Sequence, residues 1–323
     1  MAAENERLNP NNESLEKAAQ DIIETHLTSE FQIDRTTFKI ITAVRYDPML
    51  YTGPLPIDFA VSQDLLDTSF FYLFSNHVER LNDSLEFFNS VNESETNTDS
   101  ESNSSSKFKL TPETLQLELS NALKDVNRFI PYKLRVLIDH NNILQVESVP
   151  VTGFFNSEVI PDLKNHISII EQWQNELYQF GHHEAPVVKL YLDSEPTPIS
   201  PFTSFKTTKR DHYNAARARK VPLGALPSEA DVLLFNVTEQ VTESSISNIA
   251  VQRTIKHPIT GVETVRWITP ALATGCLNGV VRRELIKKEI IFEGLVPVKQ
   301  LKNGEHVLLM NGVRGIMLGT LII

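Results

Sequence analysis

Long apolar runs, cysteines and glycine-rich loops are all scarce in this sequence, and each scarcity removes a class of answers. No stretch approaches the ~20 uninterrupted apolar residues that a membrane-spanning helix needs. A single cysteine, Cys276, excludes an intrachain disulfide and the Cys-x-x-Cys zinc patterns. Among the 12 glycines there is neither a Walker A phosphate loop nor a Gly-x-Gly-x-x-Gly dinucleotide fingerprint. Positive charge is in deficit too: 30 Lys and Arg against 41 Asp and Glu leave a net charge of −11, which argues against a nucleic-acid surface built on bulk charge. The opening MAAENERLNPNNES has neither the apolar stretch of a signal peptide nor an arginine-rich transit pattern. A cytoplasmic protein with no membrane or nucleic-acid partner is expected, and sequons such as Asn92-Glu93-Ser94 are then chance matches.

What is present suits a soluble globular protein: 323 residues, 41% hydrophobic and 22% charged, enough for a large core and for two domains. Residues 1–36 read as a polar tail followed by an amphipathic helix over Glu13–Leu27, whose apolar residues fall at helical spacing. FKIITAVRYDP (Phe38–Pro48) reads as a strand, and the segment from Asp67 as a strand passing into a helix. Residues 92–106, NESETNTDSESNSSS, contain no apolar side chain and read as a disordered acidic insertion. A helix capped at Thr111-Pro112 follows, then a hairpin turning at His140-Asn141-Asn142. LDSEPTPISP carries three prolines, so a linker is expected at 193–201, between an α/β domain over 37–192 and a second domain over 202–323. In the latter, DVLLFN, SNIAVQRTI, TVRWITP and HVLLMN read as strands, with KRDHYNAARARK and GVVRRELIKK as helices among them. The class is α+β, with no internal repeat.

Four places on these elements have chemical potential. In SPFTSFKTTKRDHYNAARARK, Lys206 is open to three readings: a surface charge, a phosphate anchor, or an amine made nucleophilic by burial. Glu243, in VTESSISNIAV, is a turn glutamate in solvent or a carboxylate that holds a protonated ring nitrogen. Gly275 and Gly279 precede a helix whose first N–H groups suit an anion, phosphate above all. Arg80, in FSNHVERLNDSL, is a helical surface residue or a second phosphate ligand. His182-His183-Glu184 lacks the i, i+4 spacing of a helical metal site and reads as a solvated turn, so no metal is expected.

In this order and company, the residues resemble the fold-type IV pyridoxal-phosphate enzymes: branched-chain aminotransferases, D-amino-acid aminotransferases and aminodeoxychorismate lyases. The family's His-x-x-Arg-Leu, Schiff-base lysine, Glu-x-x-x-x-Asn, Thr-Pro-x-Leu-x-x-Gly and late Asn-Gly turn are matched by His77–Leu81, Lys206, Glu243–Asn248, Thr269–Gly275 and Asn311–Gly312. FTSFKTTKRDHYNAARAR, YKLRVLID, ITAVRYDP, ATGCLNG and LLMNGVRG look most like the fungal lyases of the family.

The resemblance implies a two-domain fold-type IV architecture with pyridoxal 5′-phosphate bound covalently by Lys206. Glu243 would pair with its ring nitrogen, and Arg80, Gly279, Val280, Val281 and Gly312 would hold the phosphate. Many relatives have a threonine or serine near the second valine, so a side-chain phosphate bond is absent from this expectation. The implied reaction converts 4-amino-4-deoxychorismate to 4-aminobenzoate and pyruvate for folate synthesis, in a homodimer. Arg135, then Arg210, then Arg314 are the candidates for the substrate carboxylates, Arg135 being equally readable as a solvent-facing strand residue. An aminotransferase for branched-chain or D-amino acids, and a cofactor-free scaffold protein, are the alternatives.

Overall fold

The computed structural model describes residues 33–55, 59, 65–95, 108–152, 187–256 and 260–323. The helix expected over Glu13–Leu27 and the His182-His183-Glu184 turn lie outside them.

A three-stranded antiparallel sheet, in order β1–β2–β3, is built from β1 (Ile40–Tyr46), β2 (Tyr132–Ile138) and β3 (Leu144–Pro150). Strand alternation divides its faces. Ile40, Val44 and Tyr46 of β1, with Leu134, Val136 and Ile138 of β2, point into a core shared with helix α1 (Phe74–Glu95). Their neighbours Ile41, Ala43, Lys133 and Arg135 face a cavity instead. The hairpin between β2 and β3 turns at Asn142 (φ 60°), with the Asp139 carboxylate accepting the N–H groups of Asn141 and Ile143 at 2.9 Å.

On α1, Phe74, Val78, Leu81, Leu85 and Phe88 recur at steps of three and four and are buried against β1. Beside this stripe runs a second one that is polar and equally buried: His77, Arg80 and Ser84. Helix α1 continues through Glu95, with no glycine or proline to interrupt FFNSVNESE, so the first four residues of the stretch expected as an insertion over 92–106 are helical, and its residues 96–106 lie outside the described residues. Helix α2 (Pro112–Asn121) starts as expected: the Thr111 hydroxyl accepts the Thr114 N–H and Pro112 occupies the first turn.

The second sheet has eight strands in the order β6–β5–β4–β11–β10–β7–β8–β9. They are β4 (Val187–Leu192), β5 (Ala230–Phe235), β6 (Val241–Ser244), β7 (Asn248–Lys256), β8 (Glu263–Pro270), β9 (Ile291–Gly294), β10 (His306–Asn311) and β11 (Gly315–Ile322). Strand β4 lies parallel between β5 and β11. The domain boundary expected at 193–201 is thereby corrected, since the second sheet already includes residues 187–192. The prolines of that stretch leave β4 and lead into the short helix α3 (Pro201–Ser204). Helix α4 begins at Asp211 and runs to Lys220, later than the basic run suggests, with Arg210 as its non-helical first cap (φ −129°, ψ 20°). Helix α5 (Val280–Lys287) follows Gly279 and packs Val280, Val281 and Leu285 against β10 and β11.

Among the described residues, no helix is long and apolar enough to cross a membrane.

Candidate active site

Lys206 lies in the extended link between α3 and α4, and backbone pairing fixes it there. Its carbonyl accepts the Ile41 N–H at 3.0 Å, and the Thr208 N–H donates to the Lys39 carbonyl at 2.9 Å. The side chain enters a cavity of about 610 Å³ walled by β1, β2, the end of β3, the β6–β7 turn, the start of α5 and the β10–β11 turn. Of its three readings, the exposed surface charge is excluded. Burial lowers the amine pKa to about 7, aided by the positive charges of Arg210 and Arg80 and opposed by Glu243.

Glu243, at the end of β6, is buried. Its Oε1 accepts the Tyr213 hydroxyl at 2.6 Å, and Asn248 Nδ2 stands 3.4 Å from Oε2. Burial raises the carboxyl pKa to about 7, against the opposing effects of the Tyr213 hydrogen bond and the Lys206 charge. Asn248 also donates to the Leu277 carbonyl at 2.7 Å, which ties the glutamate's strand pair to the loop before α5. Gly279 N–H is spent on that same carbonyl at 2.9 Å. The free N–H groups at this helix start therefore belong to the residues that follow, in the first turn of α5. Val280 lines the cavity, whereas the Val281 side chain is buried in the core.

Arg80 reaches the cavity from α1, held by the Thr42 hydroxyl of β1, to which it donates. Thr42 Oγ1 in turn lies 2.6 Å from His77 Nδ1. Because Arg80 only donates, the Thr42 hydroxyl accepts from it and gives its own proton to Nδ1, leaving the proton of the ring on Nε2. Burial and the charges of Arg80 and Lys206 keep His77 neutral, its pKa well below the ordinary 6.5. The Nε of Arg80 is buried without a partner among the described residues. Opposite, Asn311 Oδ1 accepts the N–H groups of Val313 (3.0 Å) and Arg314 (2.9 Å), folding the turn that carries Gly312. A Cβ at Gly312 would lie 2.9 Å from His77 Cε1 and 3.0 Å from the Ala43 carbonyl oxygen, so only glycine fits.

The sequence candidates Arg80, Arg135, Lys206, Arg210, Glu243, Gly279, Val280, Gly312 and Arg314 thus meet at one cavity. Gly275 does not line it: with φ 90° it ends a short turn against Ile199. The carboxylate candidates differ in their commitments. Arg135 pairs with Glu147 at 3.1 Å, and Arg210 donates to the Ser245 carbonyl at 2.6 Å and lies 4.7 Å over the Tyr213 ring. Arg314 is half-buried, and its guanidinium makes no hydrogen bond or ion pair among the described residues. Tyr213, Thr42 and Lys133 are site residues that sequence reasoning missed.

A family model described as amino-transferase class IV matches residues 66–322, a span that takes in all of these groups except Thr42. The chain belongs to this family. It is 33% identical over 208 residues to the aminodeoxychorismate lyase of Saccharomyces cerevisiae, covering 61% of this chain and 53% of that protein. To a Schizosaccharomyces pombe protein provisionally named an aminodeoxychorismate lyase it is 39% identical over 140 residues, covering 42% and 55% respectively. The chain thus spans about half the length of the curated relatives it matches. Among solved structures, it resembles a protein of Mesorhizobium loti provisionally named an amino-acid aminotransferase. That match has a TM-score of 0.56 and 19% identity, covering 88% of this chain and all of that one. A hypothetical aminotransferase of Mycobacterium tuberculosis, solved in its PLP-bound form, matches with a TM-score of 0.51 and 12% identity, covering 88% and 81%. The fold is therefore that of class IV aminotransferases, and the mixed eight-stranded sheet with its flanking helices is the α+β arrangement expected.

Proposed function

We propose that the protein is a pyridoxal 5′-phosphate-dependent lyase that converts 4-amino-4-deoxychorismate to 4-aminobenzoate and pyruvate. The observation that carries this reading is the charge of the cavity. Among the described residues, Arg80, Lys133, Arg135, Lys206, Arg210 and Arg314 line it against a single carboxylate, Glu243, in a chain whose net charge is −11. Such a wall suits a phosphate together with a substrate bearing two carboxylates. A branched-chain amino acid brings one carboxylate and an apolar side chain. The names of the two yeast relatives agree with the lyase reading.

The residues fit the cofactor. The unpartnered Arg80 Nε is a donor whose burial costs about 1–3 kcal/mol unless an acceptor reaches it, and a phosphate oxygen supplies one. First-turn amides of α5 and the close backbone at Gly312 add to that cradle. Glu243 is a buried carboxylate suited to a ring nitrogen that carries a proton.

Bound pyridoxal phosphate supplies an electron sink for the pair left when the amine-bearing carbon loses its proton. Lys206 is the base for that proton, since an amine with a pKa of about 7 is substantially neutral at neutral pH. The same amine then delivers a proton to the methylene carbon of the departing enolpyruvyl group, which leaves as pyruvate as the ring becomes aromatic. Arg314, with no partner to give up among the described residues, is the first carboxylate ligand; Arg135 must first share or leave Glu147. We carry over the homodimer from the family resemblance, and light scattering that returns the mass of one chain would overturn it.

An aminotransferase would use the same Lys206, Glu243 and Arg80, and the Mesorhizobium loti fold neighbour carries an aminotransferase name. Product analysis separates the two. Release of 4-aminobenzoate and pyruvate from 4-amino-4-deoxychorismate supports the lyase; keto-acid exchange with 2-oxoglutarate and no 4-aminobenzoate overturns it.

A further inference from the structure

Tyr213 stands in the first turn of α4, and its hydroxyl is 2.6 Å from Glu243 Oε1. Both side chains are buried, and both line the cavity. The phenol is the donor in this pair: burial and the neighbouring carboxylate hold its pKa well above the ordinary 10. Its position is set from two sides. The Arg210 guanidinium lies over the ring at 4.7 Å while donating to the Ser245 carbonyl. One turn further along α4, Arg217 binds Asp231 at 2.7 Å and the Ser245 hydroxyl at 3.1 Å. The helix is thereby pinned to the β6–β7 turn, and the tyrosine has no freedom to leave its carboxylate.

Glu243 is served unequally as a result. Oε1 has a short, strong donor and Oε2 the long contact to Asn248, while the Leu277 backbone N–H also favours the charged carboxylate. A donor on one oxygen lowers the proton affinity of the whole carboxylate. Oε2 is the oxygen left for a ring nitrogen, and one proton is shared between them.

We propose that Tyr213 is a positioning residue that decides where this shared proton rests: by donating to Oε1 it keeps Glu243 ionised and the proton on the cofactor nitrogen. This rests on the pyridoxal-phosphate reading above. Without the Tyr213 hydroxyl the carboxylate takes the proton back, and the ring loses the positive charge that makes it an electron sink. Arg210 acts in the same direction, by seating the phenol and by its own charge near Glu243.

The test is the nitrogen-15 chemical shift of ring-labelled pyridoxal phosphate bound to the wild type, to Tyr213→Phe and to Arg210→Gln, with kcat and KM alongside. In the wild type the shift is expected at the protonated position. In Tyr213→Phe it moves toward that of an unprotonated pyridine, and kcat falls about 10- to 100-fold with KM little changed, the range for a hydrogen bond to a charged group. Arg210→Gln moves the shift the same way by a smaller amount, and it carries the test should Tyr213→Phe fail to fold. A protonated shift that is unchanged in both folded variants overturns the role of Tyr213. A wild type that binds no labelled cofactor at all overturns instead the reading on which it rests.

Discussion

A side chain at Gly279 would overlap the carboxamide oxygen of Asn248. That oxygen belongs to the residue whose Nδ2 faces both Glu243 and the Leu277 carbonyl, so the glutamate, the loop and the start of α5 are locked together through one absent methyl group. Gly279→Ala must move Asn248 or the loop. Expected is at least a ~10-fold weaker affinity for pyridoxal phosphate, read by absorbance titration of the apoprotein, with an unchanged far-ultraviolet circular dichroism spectrum. Wild-type affinity in this variant would mean that the loop has slack the packing does not suggest.

Thr42 holds Arg80 where the guanidinium meets the cavity. Thr42→Val keeps the shape of the side chain and removes both its bonds. A buried donor left unmatched costs about 1–3 kcal/mol, so cofactor affinity should weaken about 10- to 100-fold. Thr42→Ser, which restores the hydroxyl, should recover most of that loss. Equal affinities in the valine and serine variants would contradict the assignment.

The buried amine of Lys206 makes apoprotein stability depend on pH. Its pKa falls from the ordinary 10.5 to about 7 on folding, so between those values the unfolded chain binds more protons than the folded one. The contribution of Lys206 is therefore most unfavourable below about pH 7 and is relieved as pH rises toward 10.5. The difference in urea unfolding free energy between wild type and Lys206→Met should shift in favour of the wild type across that window. No change of the difference with pH would mean that the amine titrates near its ordinary value.

Arg314 and Arg135 share the cavity wall but not its commitments. Arg314→Ala should lower kcat/KM for 4-amino-4-deoxychorismate by about 10- to 100-fold, the scale of a charged hydrogen bond to a carboxylate. Arg135→Ala should cost less, because its ion pair with Glu147 has to be shared with the substrate. The reverse order would place the carboxylate nearer β2.

What the sequence offered of this site came from the order of several weak local signals and not from any one of them. Taken one at a time, Lys206, Glu243 and Gly279 are each open to a solvent-facing or ordinary loop reading, and only their order with Asn248 and the Asn311-Gly312 turn, which resembles the family pattern, groups them; Lys206, Glu243, Asn248, Gly279, Asn311 and Gly312 all line the one cavity. Tyr213 was not legible: it lies on a basic helix, and only the tertiary seating of α4 against the β6–β7 turn brings its hydroxyl to Glu243. Thr42 is hidden for the same reason, as a polar residue in a mostly apolar strand whose partner is on α1. Strand β4 was assigned to the wrong side of the boundary because its place is set by parallel pairing with β11, more than a hundred residues away, and three prolines just after it imitate a linker. The ranking of Arg135, Arg210 and Arg314 depended on which guanidinium already has a partner, which no local pattern records.

The most direct test compares wild type with Lys206→Ala, incubated with pyridoxal phosphate and then with 4-amino-4-deoxychorismate. The wild type should turn yellow and release 4-aminobenzoate with pyruvate in equal amounts, and the alanine variant should be folded, without covalently held cofactor, and inactive. A folded wild type that stays colourless, or an alanine variant that releases 4-aminobenzoate at the wild-type rate, would contradict the assignment of Lys206 and with it the proposed reaction.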